Sequence, residues 1–310
     1  MKSLLIVAAV CLFVFVPSYL GAQKINILYS NATFTGTALF VAKDSGLCKQ
    51  KGLDLELVLG SGSAPTVSAI LGGYVHFVQT SASALVNAAV QGGPVVIVAK
   101  VMGPAPYKLV GAKGIARIQD LKGKKIAVNR FGGAPDFLLR QVLTKNGLDP
   151  QRDVSILQLG DPVSRMASLF SGATDATLLL VPEEKLAVEK GHPVIVDFAA
   201  LGLPYVNIVL GANKKLVDEN PALVRSFLGC YSGALAKAKA DPEFAKKSLA
   251  RWTRANDPSL LDYTYNSWRA DYAPASLRVE NGELELLLAA APRSVNRRDV
   301  SQFLDMRYLP

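Results

Sequence analysis

The residues best suited to chemistry lie in short loops of Gly, Ser, Asn and Arg, each running into a proline and a helical pattern. Gly60-Ser61-Gly62-Ser63 leads into Ala64-Pro65, and Asn129-Arg130-Phe131-Gly132-Gly133 leads into Ala134-Pro135. Asp161-Pro162 and Val181-Pro182 share the design. Proline suits the first helical position because that N–H has no helical partner. The neighbouring free N–H groups and the positive end of the helix dipole attract an anion. Glycine lets the backbone approach a ligand closely, and Arg130 adds a guanidinium fitted to oxyanions. Residues 31–37 and Thr80-Ser81-Ala82-Ser83 supply hydroxyls from facing loops. The chemistry implied is capture of a small anion. Plainer readings stand beside it: Gly and Ser are ordinary loop residues, and Arg130 is equally a solvated surface charge. Asp161 reads first as a helix N-cap, and Arg165, one turn further on, can brace Asp161 or Glu184 instead of meeting a ligand. The loops gain weight together if they face one another across a single cleft.

Enzyme motifs are scarce. Gly60-Ser61-Gly62 lacks the third glycine of a dinucleotide site, and the chain has neither a GxxxxGK[ST] phosphate loop nor a GxSxG elbow. Three Cys and two His are too few for a disulfide scaffold and make a Cys/His zinc site unpromising. His192 reads as a loop residue before a strand. Binding without catalysis, and without metal or cofactor, is the expectation. The 34 Lys and Arg exceed the 25 Asp and Glu, but they are spread without clustering or aromatic interleaving, which disfavours nucleic acid. The net charge of +9 is compatible with attracting small anions.

What must position these loops is an internal repeat. Gly52-Leu53-Asp54 and Gly147-Leu148-Asp149 each precede an apolar run, ending Leu57-Val58-Leu59-Gly60 and Leu157-Gln158-Leu159-Gly160. Ser68-Ala69-Ile70-Leu71-Gly72-Gly73-Tyr74-Val75-His76-Phe77 corresponds to Ala167-Ser168-Leu169-Phe170-Ser171-Gly172-Ala173-Thr174-Asp175-Ala176. Gly93-Pro94-Val95-Val96-Ile97-Val98 corresponds to Gly191-His192-Pro193-Val194-Ile195-Val196. Three blocks in one order imply two similar lobes. In that alignment His76 stands where the second lobe has Asp175, so it reads as a structural substitution. Strands are expected at 25–29, 54–59, 75–79, 95–101, 108–111, 125–128, 154–159, 176–181, 193–197 and 206–210. They alternate with helices, as in a covered, mainly parallel sheet. Helices follow at 221–239, 242–253, 258–272 and 284–291, a tail expected to return to lobe one. The fold class is therefore α/β: two similar lobes with mixed, mainly parallel sheets joined by a two-strand hinge. Lobe one takes 23–106 plus 205–310, and lobe two takes 107–204.

Met1-Lys2 precedes an uncharged run at 4–16 stopped by Pro17, then small residues to Ala22. Thirteen residues of helix reach only about 20 Å, short of a bilayer core, so 1–22 reads as a secretory signal peptide. Export places Cys48 and Cys230 in an oxidising compartment. They read as two separate buried thiols, because spacing alone does not argue a disulfide.

Taken together the blocks resemble the type II periplasmic substrate-binding proteins of ABC importers, in the branch with sulfonate, taurine and nitrate binders. Leu39-Phe40-Val41-Ala42-Lys43-Asp44-Ser45-Gly46-Leu47, Ala69-Ile70-Leu71-Gly72-Gly73, Asp120-Leu121-Lys122-Gly123-Lys124-Lys125-Ile126-Ala127-Val128 and Gly172-Ala173-Thr174-Asp175-Ala176 carry the likeness, which spans 24–240. The resemblance implies a monomeric bilobal protein that closes on a small, anionic solute and delivers it to an inner-membrane permease. A periplasmic sensor and an enzyme on the same fold are the alternatives. Implied ligand contacts are Phe34, Thr35, Ser61, Ser63, Thr80, Ser81, Arg130, Gly132, Gly133, Asp161 and Glu183. The family's frequent Trp after Asp-Ala is absent at Thr177-Leu178, and His76 replaces a common Asp. The extra carboxylates favour a ligand with a cationic or donor group. Related pyrimidine synthases use a cysteine cluster that this chain lacks.

Overall fold

A computed structural model describes residues 22–280, 282–291 and 300–310 of the chain. Apart from Ala22, the leader expected at 1–22 lies outside the described residues. Two five-stranded sheets form. The first comprises β1 (Gln23–Tyr29), β2 (Leu53–Leu59), β3 (Phe77–Ser81), β4 (Val95–Met102) and β10 (Ile208–Asn213), in the order β2-β1-β3-β10-β4. The second comprises β5 (Lys108–Gly111), β6 (Lys125–Val128), β7 (Ser155–Gln158), β8 (Ala176–Leu179) and β9 (Val194–Asp197), in the order β7-β6-β8-β5-β9. The orders are the same under the repeat. In each, three strands pair in parallel, while β10 or β5 pairs antiparallel on both sides. Each sheet is thus mixed, with one strand running against the other four. The continuous apolar runs are explained by burial: every residue of β3 and β4 is buried.

The repeat also settles His76. Its Nδ1 accepts the Asn26 N–H at 3.1 Å, beside β1, where Asp175 Oδ2 accepts the Lys125 N–H at 2.8 Å beside β6. Imidazole and carboxylate do one job, satisfying a backbone donor of β1 in lobe one and of the corresponding β6 in lobe two.

Helices α1 (Thr37–Asp44), α2 (Leu47–Gln50), α3 (Ser63–Leu71) and α4 (Ala82–Val90) accompany the first sheet, and α5 (Ala134–Lys145), α6 (Pro162–Phe170) and α7 (Glu183–Glu189) the second. After β10 come α8 (Lys214–Glu219), α9 (Pro221–Ala240), α10 (Pro242–Thr253), α11 (Pro258–Ser267) and α12 (Glu285–Ala290). The helix expected over 258–272 ends at Ser267 and closes in a π-turn, Trp268–Tyr272. The tail returns to lobe one as expected: α9 and α10 pack on α1. Phe40 stacks on Trp252 at 5.5 Å, and the Trp252 indole N–H donates to Asp44 at 3.1 Å. The C-terminal segment shields the edge of β4, since Ile97 N–H donates to the Phe303 carbonyl and Asp305 N–H to the Ile97 carbonyl, both at 2.8 Å. Two crossovers join the lobes side by side: Asn207 N–H donates to the Met102 and Gly103 carbonyls at 3.0 and 3.1 Å, and Phe198 N–H to the Tyr107 carbonyl at 3.0 Å.

The two-thiol reading is corrected. Cys48 in α2 and Cys230 in α9 form a disulfide, with Cα atoms 5.1 Å apart and a sequence separation of 182. The packing of α9 on α2 brings them together, a long-range contact that spacing does not reveal.

Replacing both cysteines by alanine should lower unfolding free energy by about 2–4 kcal/mol, with a similar loss in the wild type under reductant. Equal denaturation midpoints in both tests would show that the crosslink contributes nothing. Burial holds the His76 imidazole below its ordinary 6.5, so below pH 6.5 the unfolded chain takes up the proton first and stability falls as pH drops. The His76→Asp variant should lose less stability between pH 7 and 5 than the wild type, read from paired melts; an equal loss would contradict the shared role.

Candidate functional site

The loops leaving the carboxyl ends of the strands meet between the sheets, where ligands bind in open α/β folds. Of the four prolines expected at a first helical position, Pro162 takes it. Pro135 is second in α5, Pro65 third in α3, and Pro182 precedes α7 as its N-cap. None of the first-turn N–H groups has an intrahelical partner, so proline is tolerated at each position.

These helix starts are not equivalent. Asp161 fills its own: its carboxylate accepts the Ser164 N–H at 2.9 Å and the Ser164 hydroxyl at 2.7 Å. Desolvation pushes this carboxyl up, but the Ser164 bonds outweigh it and hold the group below the ordinary range. Ser81 likewise caps α4 through the Ala84 N–H. The starts of α3 and α5 have glycine N-caps, Gly62 and Gly133, and no side-chain cap. Gly62 sits at φ 108°, a region where a side chain is strained, and a Cβ there would lie 2.9 Å from Arg130 Cδ. Arg130 therefore reaches from lobe two over the start of α3 in lobe one, its Nε–H donating to the Ser61 carbonyl. It makes no ion pair with a carboxylate among the described residues. A second polar contact crosses nearby, from the Ser83 hydroxyl to the Gly132 carbonyl at 3.4 Å.

Two adjoining chambers open here, sharing Ala32, Thr33, Asp161 and Pro162 in their walls. The first, about 460 Å³, brings Ser61, Arg130 and Asp161 together with Asn31 and Asn129. The second, about 430 Å³, brings Phe34, Asp161 and Glu183 together. Thr35 lies in the narrow floor with Asn129 and Arg165, and Gly132 lines a separate groove beside α3 and α4. Ser63, Thr80, Ser81 and Gly133 are buried and line neither chamber. Thr80 Oγ1 and Asn129 Oδ1 are buried with no hydrogen-bond partner among the described residues, as is Glu183 Oε2. Burial raises the Glu183 carboxyl above the ordinary carboxylate range.

Arg165 braces neither Asp161 nor Glu184. It is 1% exposed and donates to the Leu178 carbonyl at 3.3 and 3.1 Å and to the Gly160 carbonyl. A buried guanidinium thus ties the ends of β7 and β8 together through backbone oxygens. Glu184 instead pairs with Lys108 at 3.4 Å and accepts the Tyr263 hydroxyl at 2.9 Å.

That last bond shows what sequence reasoning missed. The tail does more than cover lobe one: Leu249, residues 253–257, Leu260, Leu261 and Thr264 wall the second chamber, and Tyr263 of α11 reaches α7 of lobe two. The only sequence signal is the break between two helical patterns at Arg254-Ala255-Asn256-Asp257-Pro258, which marks a turn but not what the turn faces.

The fold is shared with solved structures. A protein of Bordetella bronchiseptica RB50 superposes with a TM-score of 0.81 at 20% identity, covering 92% of this chain and 95% of that one. The alkanesulfonate-binding protein SsuA of Xanthomonas axonopodis pv. citri, bound to MOPS, gives 0.73 at 20% identity over 94% and 95%. The periplasmic nitrate-binding protein NrtA of Synechocystis PCC 6803 gives 0.70 at 14% over 91% and 86%. In sequence, the chain is 28% identical over 157 residues to YtlA of Bacillus subtilis (strain 168), whose name presents it as a candidate binding protein. The match takes in 49% of this chain, which spans about half, 47%, of that protein's length. The model of one family matches residues 33–245, a stretch that contains Ser61, Arg130, Asp161 and Glu183 and ends before the part of the tail that walls the second chamber, and the chain belongs to that family, NMT1/THI5-like.

Proposed function

We infer that this chain is the solute-binding component of an ABC import system, closing its lobes, 23–106 plus 205–310 and 107–204, on a small anionic solute. The observation that carries this reading is Arg130 of lobe two lying over the uncapped, glycine-led start of α3 in lobe one. Both present N–H donors and positive charge to the chamber, and an anion there is attracted from both lobes at once. Such a ligand stabilises the closed arrangement, because only there does it touch both walls. The likeness to sulfonate- and nitrate-binding proteins supports the same solute class, a periplasmic monomer and a membrane permease as partner.

Binding without catalysis fits the engagement of the usual reactive groups. The His76 ring accepts from Asn26 N–H, the His192 ring lies 3.1 Å from the Gly111 carbonyl, and Cys48 and Cys230 are joined to each other. The Tyr263–Glu184 bond acts in this reading as a latch, since it joins α11 of the tail to α7 of lobe two.

A thermal-shift screen of sulfonates, carboxylates, inorganic anions and pyrimidines should find anions that stabilise the protein, by about 2.7 kcal/mol at a hundredfold excess over Kd. Stabilisation by pyrimidines alone, or by nothing in the set, would contradict the anionic class. For an anion so found, Arg130→Ala should cost about 2 kcal/mol of affinity by calorimetry while the ligand-free melt stays in place; undiminished affinity would remove Arg130 from the site. Tyr263→Phe should weaken the same anion about tenfold, the worth of one hydrogen bond to a carboxylate, and expand the free protein in small-angle scattering. No change in either would mean that the bond does not hold the lobes.

A further inference from the structure

The second chamber has no role in holding a small anion. It is nearly as large as the first, about 430 Å³ against about 460 Å³, and adjoins it at Thr33 and Asp161. Its walls are mostly apolar, with Phe34, Val163, Met166, Leu186 and Leu261 among them. A nitrate or a two-carbon sulfonate seated by Arg130 would leave this space unfilled, whereas a cavity of this kind suits the carbon frame of an organic ligand.

The polar groups in that wall narrow the class further. Asp161 is engaged by Ser164, and Asp257 accepts the Ser259 and Leu260 N–H groups at 2.8 and 3.0 Å. The Thr253 and Thr264 hydroxyls donate to the Leu249 and Leu260 carbonyls at 2.8 and 2.6 Å. Arg254 and Asn256 stand exposed at the rim. Glu183 differs from all of these: its Oε2 is buried and has no partner among the described residues. A buried acceptor without a donor is costly and rare, and a turn of the Glu183 side chain, which lines the chamber, brings that oxygen to a donor on the ligand.

We propose that the second chamber is a subsite for the far end of an elongated organic anion, and that Glu183 selects ligands carrying an N–H donor, preferably an ammonium, at that end. The negative head lies against Arg130 and the α3 start, the carbon chain crosses Thr33, and the nitrogen meets Glu183. This rests on the anion-binding reading above and names the ligand class more closely. A cationic donor also favours the ionised form of a carboxyl that burial otherwise disfavours.

The test uses two matched pairs, hexanesulfonate with 6-aminohexanesulfonate and hexanoate with 6-aminohexanoate, titrated calorimetrically into the whole protein. The amino member of at least one pair should bind tenfold or more tighter than its unsubstituted partner, and Glu183→Gln should erase that preference. Val163→Trp, which narrows the chamber from an exposed wall position, should weaken the six-carbon amino ligand while sparing 2-aminoethanesulfonate. Melting curves establish that both variants fold. Equal or tighter binding of the unsubstituted chains, or a preference that survives Glu183→Gln, overturns the subsite while leaving the anion reading standing. If no anion of either pair binds and the wider screen is also silent, both fall together.

Discussion

Two positive ends held face to face across a cleft organise this molecule. The Arg130 guanidinium comes from one lobe and the glycine-capped start of α3 from the other, and the contact between them is a hydrogen bond to a backbone oxygen, not an ion pair. Left alone, such an arrangement is poorly compensated; with an anion inserted it becomes an attraction that both lobes share. The neighbouring helix starts sharpen the point. Asp161 and Ser81 cap their own helices, whereas α3 and α5 begin at glycine N-caps with no side-chain cap.

The duplication explains why these ends meet. Each lobe uses the same strand order with one strand entering against the rest, so the carboxyl ends of corresponding strands face each other across the crossovers. The corresponding backbone donors of β1 and β6 are satisfied by different side chains, His76 and Asp175, which shows geometry retained while chemistry changed. Paired crossovers join the lobes, and the tail reaches across to α7, so that three elements instead of two wall the cleft.

Much of this was legible in the sequence because it is local. The strand runs at 108–111 and 125–128 and the helix Pro242–Thr253 fall where periodicity and capping place them. The correspondence of His76 with Asp175 follows from aligning two halves of one chain. What escaped is non-local. The Cys48–Cys230 crosslink depends on α9 folding back on α2, and the tail's part in the second chamber depends on how α10 and α11 tilt over the cleft. Arg165 escaped for another reason: a cation so near Asp161 invites an ion pair, yet burial and geometry direct it to carbonyl oxygens. The four prolines show the limit of local rules, since any first-turn position tolerates the ring and composition does not choose among them.

The most direct measurement is native mass spectrometry of protein purified gently from cells grown in rich medium, wild type beside Arg130→Ala. The account expects a mass increment on the wild type that is released by denaturation, registers as an organic anion in negative-ion mode, and is missing from the variant. An increment that carries no negative charge, or that Arg130→Ala retains in full, would contradict it.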